Sequence, residues 1–438
     1  MAEGGAQVVG RHVIPPSGGA FHPLPNDLPA PLAAALRSNG IEQLYSHQHA
    51  AIAAIRNGEH VLLTTGTASG KSLAYQLPAL ARQLKDPSAT ALALYPTKAL
   101  AHDQAQSLAG LAAKAGLPGA TVASYDGDTP TSQRPQIRAE VRTLITNPDM
   151  LHAGILPHHT LWRRFLEGLS LIVVDEVHTY RGVFGSHIAG VLRRLLRIAN
   201  HYGAQPTFVL TSATLGNPTE HARNLTGQQV HHVDLDAAPH AERELLVVQP
   251  PLVNRELGIR RPPLQQAVTI AQKLVQDGKQ VLVFAGSRQG AEEAVLSLRH
   301  HLPGVRSYRS GLLPTERRTI ERELRSGEAR VVVSTNALEL GVDIGSVDAV
   351  VVAGYPGSAA AFRQQVGRAG RRGRPGLGVL VLGSGALDQY LAKHPEHLFG
   401  AASERALVAP DHLLIALDHL RCAAFELPVE PHESFGAY

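Results

Sequence analysis

The run Thr65-Gly66-Thr67-Ala68-Ser69-Gly70-Lys71-Ser72 follows the apolar stretch His60–Thr64 and opens an apolar-periodic segment. Strand, glycine-bearing loop and helix start, in that order, make a phosphate cradle, because backbone N–H groups and the helix N-terminus face the anion. Lys71 would reach the β and γ oxygens of a nucleoside triphosphate, and the Ser72 hydroxyl would hold Mg2+. Thr65 stands where the strict pattern has glycine. A chance glycine turn would not also set strand, lysine and serine in register. The lysine carries weight, since only seven of the 41 basic residues are lysine: Lys71, Lys85, Lys98, Lys114, Lys273, Lys279 and Lys393.

A second constellation ends the apolar run Leu171–Val174 with Asp175-Glu176-Val177-His178. A buried strand that terminates in two acids presents both carboxylates at the carboxyl edge of its sheet, where open α/β sheets bind ligands. Asp175 would bind Mg2+, and Glu176 would position and deprotonate an attacking water. An Asp-Glu pair alone could equally cap a helix. With a phosphate loop upstream, that reading loses force.

These residues need elements to hold them. Short apolar runs at His60–Thr64, Ala91–Tyr95, Thr143–Thr146, Leu171–Val174 and Phe208–Leu210 alternate with helical segments, which predicts buried parallel strands. Helices are expected over Pro31–Asn39 and His47–Asn57. A second series, Gln280–Phe284, Arg330–Val333, Ala349–Val352 and Gly378–Leu382, follows a stretch flanked by Pro250, Pro251, Pro262 and Pro263. The expected organisation is a loosely ordered arm at 1–27, an α/β domain at 28–240, a linker at 241–263 and a second α/β domain at 264–400. The segment 401–438, with one helix near Pro410–Phe425, begins an accessory region.

The 438 residues are 44% hydrophobic and 18% charged, which excludes a largely disordered chain. Cys422 is the single cysteine, so neither a disulfide framework nor a cysteine zinc cluster can be built from this sequence. No run of 18 apolar residues is present, so no membrane partner is expected. The first 20 residues lack a secretory h-region, and a cytoplasmic, nucleoid-associated setting is expected. The net charge of +4 does not by itself demand a nucleic-acid partner. The histidine pairs His158-His159, His231-His232 and His300-His301, with Asp234 and Asp236 near one, lack zinc-site spacing and read as surface residues.

Asp175-Glu176-Val177-His178 resembles the DExH form of motif II in superfamily 2 helicases, and the other motifs follow in that superfamily's order over residues 44–371. Leu44-Tyr45-Ser46-His47-Gln48 resembles a Q-type motif. Pro96-Thr97-Lys98-Ala99-Leu100 resembles motif Ia, and Thr146-Asn147-Pro148-Asp149 motif Ib. Ser212-Ala213-Thr214 resembles motif III, and Val283-Phe284-Ala285-Gly286-Ser287-Arg288 motif IV. Motif V is resembled by Ser334 to Ile344, and motif VI by Gln364-Gln365-Val366-Gly367-Arg368-Ala369-Gly370-Arg371. The wording of the phosphate loop, of Asp-Glu-Val-His-Thr-Tyr and of Ala-Leu-Glu-Leu-Gly-Val-Asp-Ile-Gly is most similar to the YprA/MrfA-type DNA repair helicases, relatives of the fungal RecQ-four-like helicases.

The resemblance implies two tandem RecA-like domains that bind ATP and Mg2+ in the cleft between them. Gln48 would recognise adenine, and Gly341 and Asp343 would meet the nucleotide. Arg371 would be the arginine finger, with Arg368 a second γ-phosphate contact among the arginines Arg363, Arg368, Arg371, Arg372 and Arg374. Arg372 and Arg374 read better as a solvated basic face. Gln364 and His178 would couple the domains, with Ser212 and Thr214. Thr97, Lys98, Thr146 and Asp149 in the first domain, and Ser287, Arg288 and Thr335 in the second, would touch sugar and phosphate. Tyr180 and Phe184 could add a stacking contact or simply pack.

A monomeric 3′–5′ translocase on single-stranded DNA, acting in repair, is therefore expected. Rival readings are an RNA helicase and an ATP-latched nucleic-acid-binding module without unwinding. Against RNA stand Val-His at the end of motif II and Ala68, where many RNA helicases have glycine. The family's C-terminal domain with a four-cysteine metal site has no counterpart here. A shortened form, or a partner that supplies the C-terminal function, is expected.

Overall fold

Strand Val61–Thr64 is buried at every position, and so are Thr90–Leu94, Thr143–Thr146 and Thr207–Ser212. A strand covered by helices on both faces must be apolar throughout, and these runs are. In the computed structural model, which describes residues 5–66, 69–254, 256–309, 311–338, 345, 347–370, 373–400 and 404–438, the chain forms two compact units. The first is built from residues 20–65, 69–237 and 405–438.

Its seven-stranded sheet runs in the order His231–Val233, Val61–Thr64, Thr207–Ser212, Leu169–Val174, Thr90–Leu94, Thr143–Thr146, Val122–Ser124. Every pairing is parallel. The phosphate loop follows Val61–Thr64 and leads into helix Lys71–Lys85, and Asp175 follows Leu169–Val174 two strands away. Both motifs therefore leave the sheet at one edge. Two apolar clusters cover the faces, one around Leu63, Ala93 and Val209, the other around Leu62, Ile172 and Phe208. Alternation along each strand sends one residue to each side.

The second unit has a seven-stranded sheet in the order Gln7–Ile14, Arg243–Gln249, Gly376–Val381, Ala349–Ala353, Val281–Phe284, Val331–Ser334, Val305–Tyr308. All pairs are parallel except the first. Two expectations are corrected here. Residues 7–14, read as part of a loose arm, pair antiparallel with Arg243–Gln249. Arg243–Gln249 and a small hairpin of Leu252–Asn254 with Ile259–Arg260 occupy the stretch read as a linker. The missed strands Gln7–Ile14, Val122–Ser124, His231–Val233 and Val305–Tyr308 all lie at sheet edges. An edge strand buries less surface and carries no unbroken apolar run to betray it.

The stretch 405–438 packs on the first unit. Helix Leu413–Glu426 lies against the long helix Gly182–His201, and a Cβ at Gly190 would come within 2.4 Å of the His419 ring. At this crossing Arg194 is fully buried and holds both carboxylate oxygens of Glu426, with one contact at 2.9 Å. His152 Nδ1 lies 2.7 Å from Arg194 Nη1, and His419 sits 3.2 Å from His187. His159, expected on the surface, is buried between the Tyr202 hydroxyl and the Glu426 carbonyl, each at 2.8 Å.

Removing one side of a buried ion pair leaves an uncompensated charge. Arg194→Met and Glu426→Gln should each cost about 3–5 kcal/mol in thermal unfolding. Burial, helped by Arg194 and by His187 and His152, pushes His419 from 6.5 down to about 3. Its neutral form favours the fold, so this stabilisation is complete above pH 6.5 and fades as pH falls toward 3. Melting temperature should therefore fall less steeply on acidification in His419→Gln than in the parent.

Candidate nucleotide site and the nucleic-acid-binding edge

Helix Lys71–Lys85 begins at Gly70, whose φ of 77° is left-handed. A Cβ there would also sit 2.7 Å from Gln48 Nε2, so glycine is required twice over. The loop is held from outside by helix Ser46–Arg56. Gln48 donates from Nε2 to the Gly70 carbonyl at 2.8 Å and accepts from Tyr45 N–H at 2.9 Å. Gln48 thus braces the loop that it was expected only to supplement. His47 was missed as a functional position. The Ala237 N–H donates to its Nδ1 at 3.2 Å, which leaves Nε2–H to donate to the Ser69 carbonyl at 3.0 Å. Burial keeps this ring below its ordinary pKa, in the neutral form those bonds need.

Within the loop, the Thr65 and Ser69 hydroxyls meet at 2.6 Å and both residues are buried. Lys71 Nζ donates to the Thr65 carbonyl at 2.8 Å, so the ammonium folds back over the loop. Gly66 and Ser72 are half-buried. Thr67 and Ala68 lie outside the described residues.

Asp175 and Glu176 lie beside this loop in the fold's order of strands. Both are buried, with 8% and 6% of their surface exposed. Glu176 is the only non-glycine residue with positive φ among those described, at φ 52°. Such strain is held only where surrounding structure imposes it. Its Oε2 is buried without a hydrogen-bond partner. His178 Nδ1 lies 3.4 Å from that oxygen, yet Nδ1 accepts the Ala213 N–H at 3.3 Å and has no proton to offer. Ser212, fully buried, approaches the same Nδ1 at 3.5 Å, while Thr214 is exposed. Thr211 is a further residue that the motif reading missed: its hydroxyl donates to Asp175 Oδ1 and sits 3.4 Å from the Glu176 N–H.

Burial first, and the neighbouring Glu176 second, push the Asp175 carboxyl up to about 7. A hydroxyl at Ser72 and a carboxylate at Asp175 form an oxygen donor set that fits a hard divalent cation, and a cation there would offset the cost of two buried carboxylates.

The expected nucleic-acid contacts divide. Thr97 caps helix Lys98–Lys114, accepting the Leu100 N–H at 3.3 Å, and Lys98 pairs with Asp128 at 2.8 Å. Asp149 is exposed. Thr146 departs from expectation: its side chain is buried and its hydroxyl donates to the Tyr125 carbonyl at 2.6 Å, so it pins the sheet and faces away from solvent. Tyr180 is fully buried and packs, whereas Phe184 is exposed.

In the second unit Ser287 caps helix Arg288–Arg299 through the Gly290 N–H at 3.0 Å, and Ser287 and Arg288 are exposed. Thr335 is buried after strand Val331–Ser334. Gln364 and Arg368 are buried, Arg363 is half-buried and Arg374 exposed. Helix Ala359–Val366, which carries Gln364, is capped by the Glu404 carboxylate on the Ala359 and Ala360 N–H groups, a role unseen in the sequence. Gly341, Asp343, Arg371 and Arg372 lie outside the described residues.

A carboxyl whose folded pKa is raised from 3.8 to about 7 disfavours the fold once it is charged. Asp175→Asn should therefore stabilise the nucleotide-free chain by on the order of 1–3 kcal/mol at pH 8, with a smaller gain at pH 5. Thermal unfolding at the two pH values checks this.

Residues 45–222 match the family of DEAD/DEAH box helicases, and residues 265–373 match the helicase conserved C-terminal domain. YprA of Bacillus subtilis (strain 168), an uncharacterised ATP-dependent helicase, is 44% identical over 99% of this chain and 59% of its own length. The ATP-dependent helicase HRQ1 of Saccharomyces cerevisiae is 41% identical over 89% of this chain and 38% of its own. A crystal structure of the DUF1998 helicase MrfA bound to DNA superposes with a TM-score of 0.94 at 45% identity, over 98% of this chain and 58% of that one. MrfA bound to DNA and AMPPNP gives 0.93 at 44% identity, over 98% and 61%. The chain thus spans 59% of the length of YprA. Two tandem RecA-like domains, a phosphate loop, a buried Asp-Glu pair and these matches lead to one family: the chain belongs to the superfamily 2 DEAD/DEAH-box helicases, among the YprA/MrfA-type members.

Proposed function

We propose that this chain is the motor of an ATP-driven helicase that moves 3′ to 5′ along single-stranded DNA in DNA repair. Glu176 carries the chemical part of the reading: a buried carboxylate in a left-handed conformation, with Oε2 free of partners, is a base waiting for a water. In hydrolysis that water would attack the γ-phosphorus and pass its proton to Glu176, as the bond to the β-phosphate oxygen breaks. Lys71 would exchange its internal bond to the Thr65 carbonyl for phosphate oxygens. Bound Mg2+, held by Ser72 and Asp175, would neutralise phosphate charge.

DNA is favoured because the MrfA structures at 45% and 44% identity are bound to DNA, one of them with AMPPNP. Direction, strand preference and the repair role rest on the likeness of the motifs. The same reading expects a monomer in the cytoplasm, at the nucleoid, with a C-terminal function from elsewhere. In keeping with this, no helix among the described residues is long and apolar enough to cross a membrane.

Steady-state ATP hydrolysis should be measured without polymer and with single-stranded DNA, duplex DNA and single-stranded RNA, at two salt concentrations. Stimulation by single-stranded DNA, weaker at high salt, is the expected result. Stimulation by RNA alone would transfer the chain to the RNA helicases. Lys71→Ala and Glu176→Gln should lower turnover by about 100-fold or more with an unchanged circular dichroism spectrum. Near-normal hydrolysis in Glu176→Gln would remove it as the base.

A further inference from the structure

We propose that the hairpin Leu252–Arg260 is a wedge that opens base pairs at a junction of single-stranded and duplex DNA; the proposal rests on the helicase reading above. The hairpin is a short antiparallel ribbon, with Leu252 opposite Arg260 and Asn254 opposite Ile259. Its turn is tied by Asn254 Oδ1 accepting the Leu257 N–H at 2.9 Å. Its base is tied by Arg260 Nη1 donating to the Pro250 carbonyl at 2.7 Å. A ribbon fastened at both ends nonetheless shows water four large apolar side chains: Leu252 at 41% exposure, Val253 at 60%, Leu257 at 71% and Ile259 at 47%. Apolar surface gathered on one short ribbon signals an occupant.

Topology supplies the neighbourhood. Strand Arg243–Gln249 runs parallel to Gly376–Val381 and, through it, to the rest of the second sheet, so the chain leaves at the sheet's carboxyl edge. The hairpin follows at that edge, and helix Pro263–Gln276 then returns toward the start of Val281–Phe284. Ser287 and Thr335 come off the ends of Val281–Phe284 and Val331–Ser334 at the same edge. The two helix starts touch: a Cβ on Gly290 would lie 3.3 Å from Leu264 Cδ2. Three strand spacings, about 14 Å, separate the hairpin's strand from the one that precedes Ser287. The apolar ribbon therefore stands within one helix start of the residues assigned to sugar and phosphate.

Chemistry selects the occupant. Arg260 and Arg261 at the base, with Arg288 beside them, supply cations, and Glu256 is the only acid of the hairpin. Leucine, isoleucine and similar side chains pressed between base steps unstack them. They offer no donor or acceptor to a base edge, so they open any sequence alike, as a motor that crosses every sequence requires.

The test uses the 438-residue chain, a nonhydrolysable ATP analogue and a duplex with a 3′ single-stranded tail and 2-aminopurine at the first base pair. Binding should raise 2-aminopurine fluorescence. In the double variant Val253→Ser/Leu257→Ser, the rise per strand bound should fall about tenfold, and base pairs opened per ATP hydrolysed should fall with it. Leu296→Ser, which removes an apolar residue 61% exposed elsewhere on the second unit, should keep the parental ratio. Tight binding by the parent with no fluorescence rise overturns the wedge, and so does a double variant that opens the junction normally. A dimer that the double variant dissociates also overturns it, since the ribbon would then serve self-association. If the parent neither binds DNA nor shows DNA-stimulated hydrolysis, the helicase reading fails and the wedge with it.

Discussion

Two adjacent carboxylates held out of water are the costliest arrangement in the molecule. Asp175 and Glu176 repel each other, and both lose hydration where the strand Leu169–Val174 emerges from between two helical layers. The neighbouring strand answers part of this cost: Thr211, near the end of Thr207–Ser212, donates to Asp175. The rest is left for ligands. A carboxyl pushed up to about 7 and an oxygen with no partner describe a site whose unliganded form is electrostatically unfinished. A cation and a polarised water would each lower its energy, which is how binding becomes chemistry.

The phosphate loop follows the opposite rule, since every described polar group in it is answered. Thr65 meets Ser69, Lys71 meets the Thr65 carbonyl, and Gln48 and His47 hold Gly70 and Ser69 from the adjoining helix. Such a loop is kept in shape before any phosphate arrives. Binding then needs only an exchange of partners by Lys71.

The motor's first unit is also closed by residues far from the motifs. Arg194 and Glu426 bury a full ion pair between the long helix and the helix near the C-terminus, and histidines fill the space around it. In the sequence those histidines look like scattered surface residues. Neither an arginine at 194 nor a glutamate at 426 announces burial, because charged residues are ordinarily exposed and only the crossing at Gly190 brings them together.

Local order was legible in the sequence wherever it had a local cause. Runs buried on both faces read as strands, and Lys71, Asp175 and Glu176 were legible because each follows such a run at the edge where ligands bind. The family followed from the order of motifs. What escaped was whatever tertiary contact decides. Edge strands such as Gln7–Ile14 have no apolar run of their own and exist because Arg243–Gln249 offers a partner. Thr146 turned inward to Tyr125, and His159 was buried by a helix more than 250 residues away. Thr211 became part of the site because two strands far apart in sequence lie side by side. The sequence by itself determined which residues can handle phosphate and water, since residue type and strand period are local properties. Only the tertiary structure decided which of those groups are satisfied and which are left wanting, because hydrogen-bond partners and burial belong to neighbours in space.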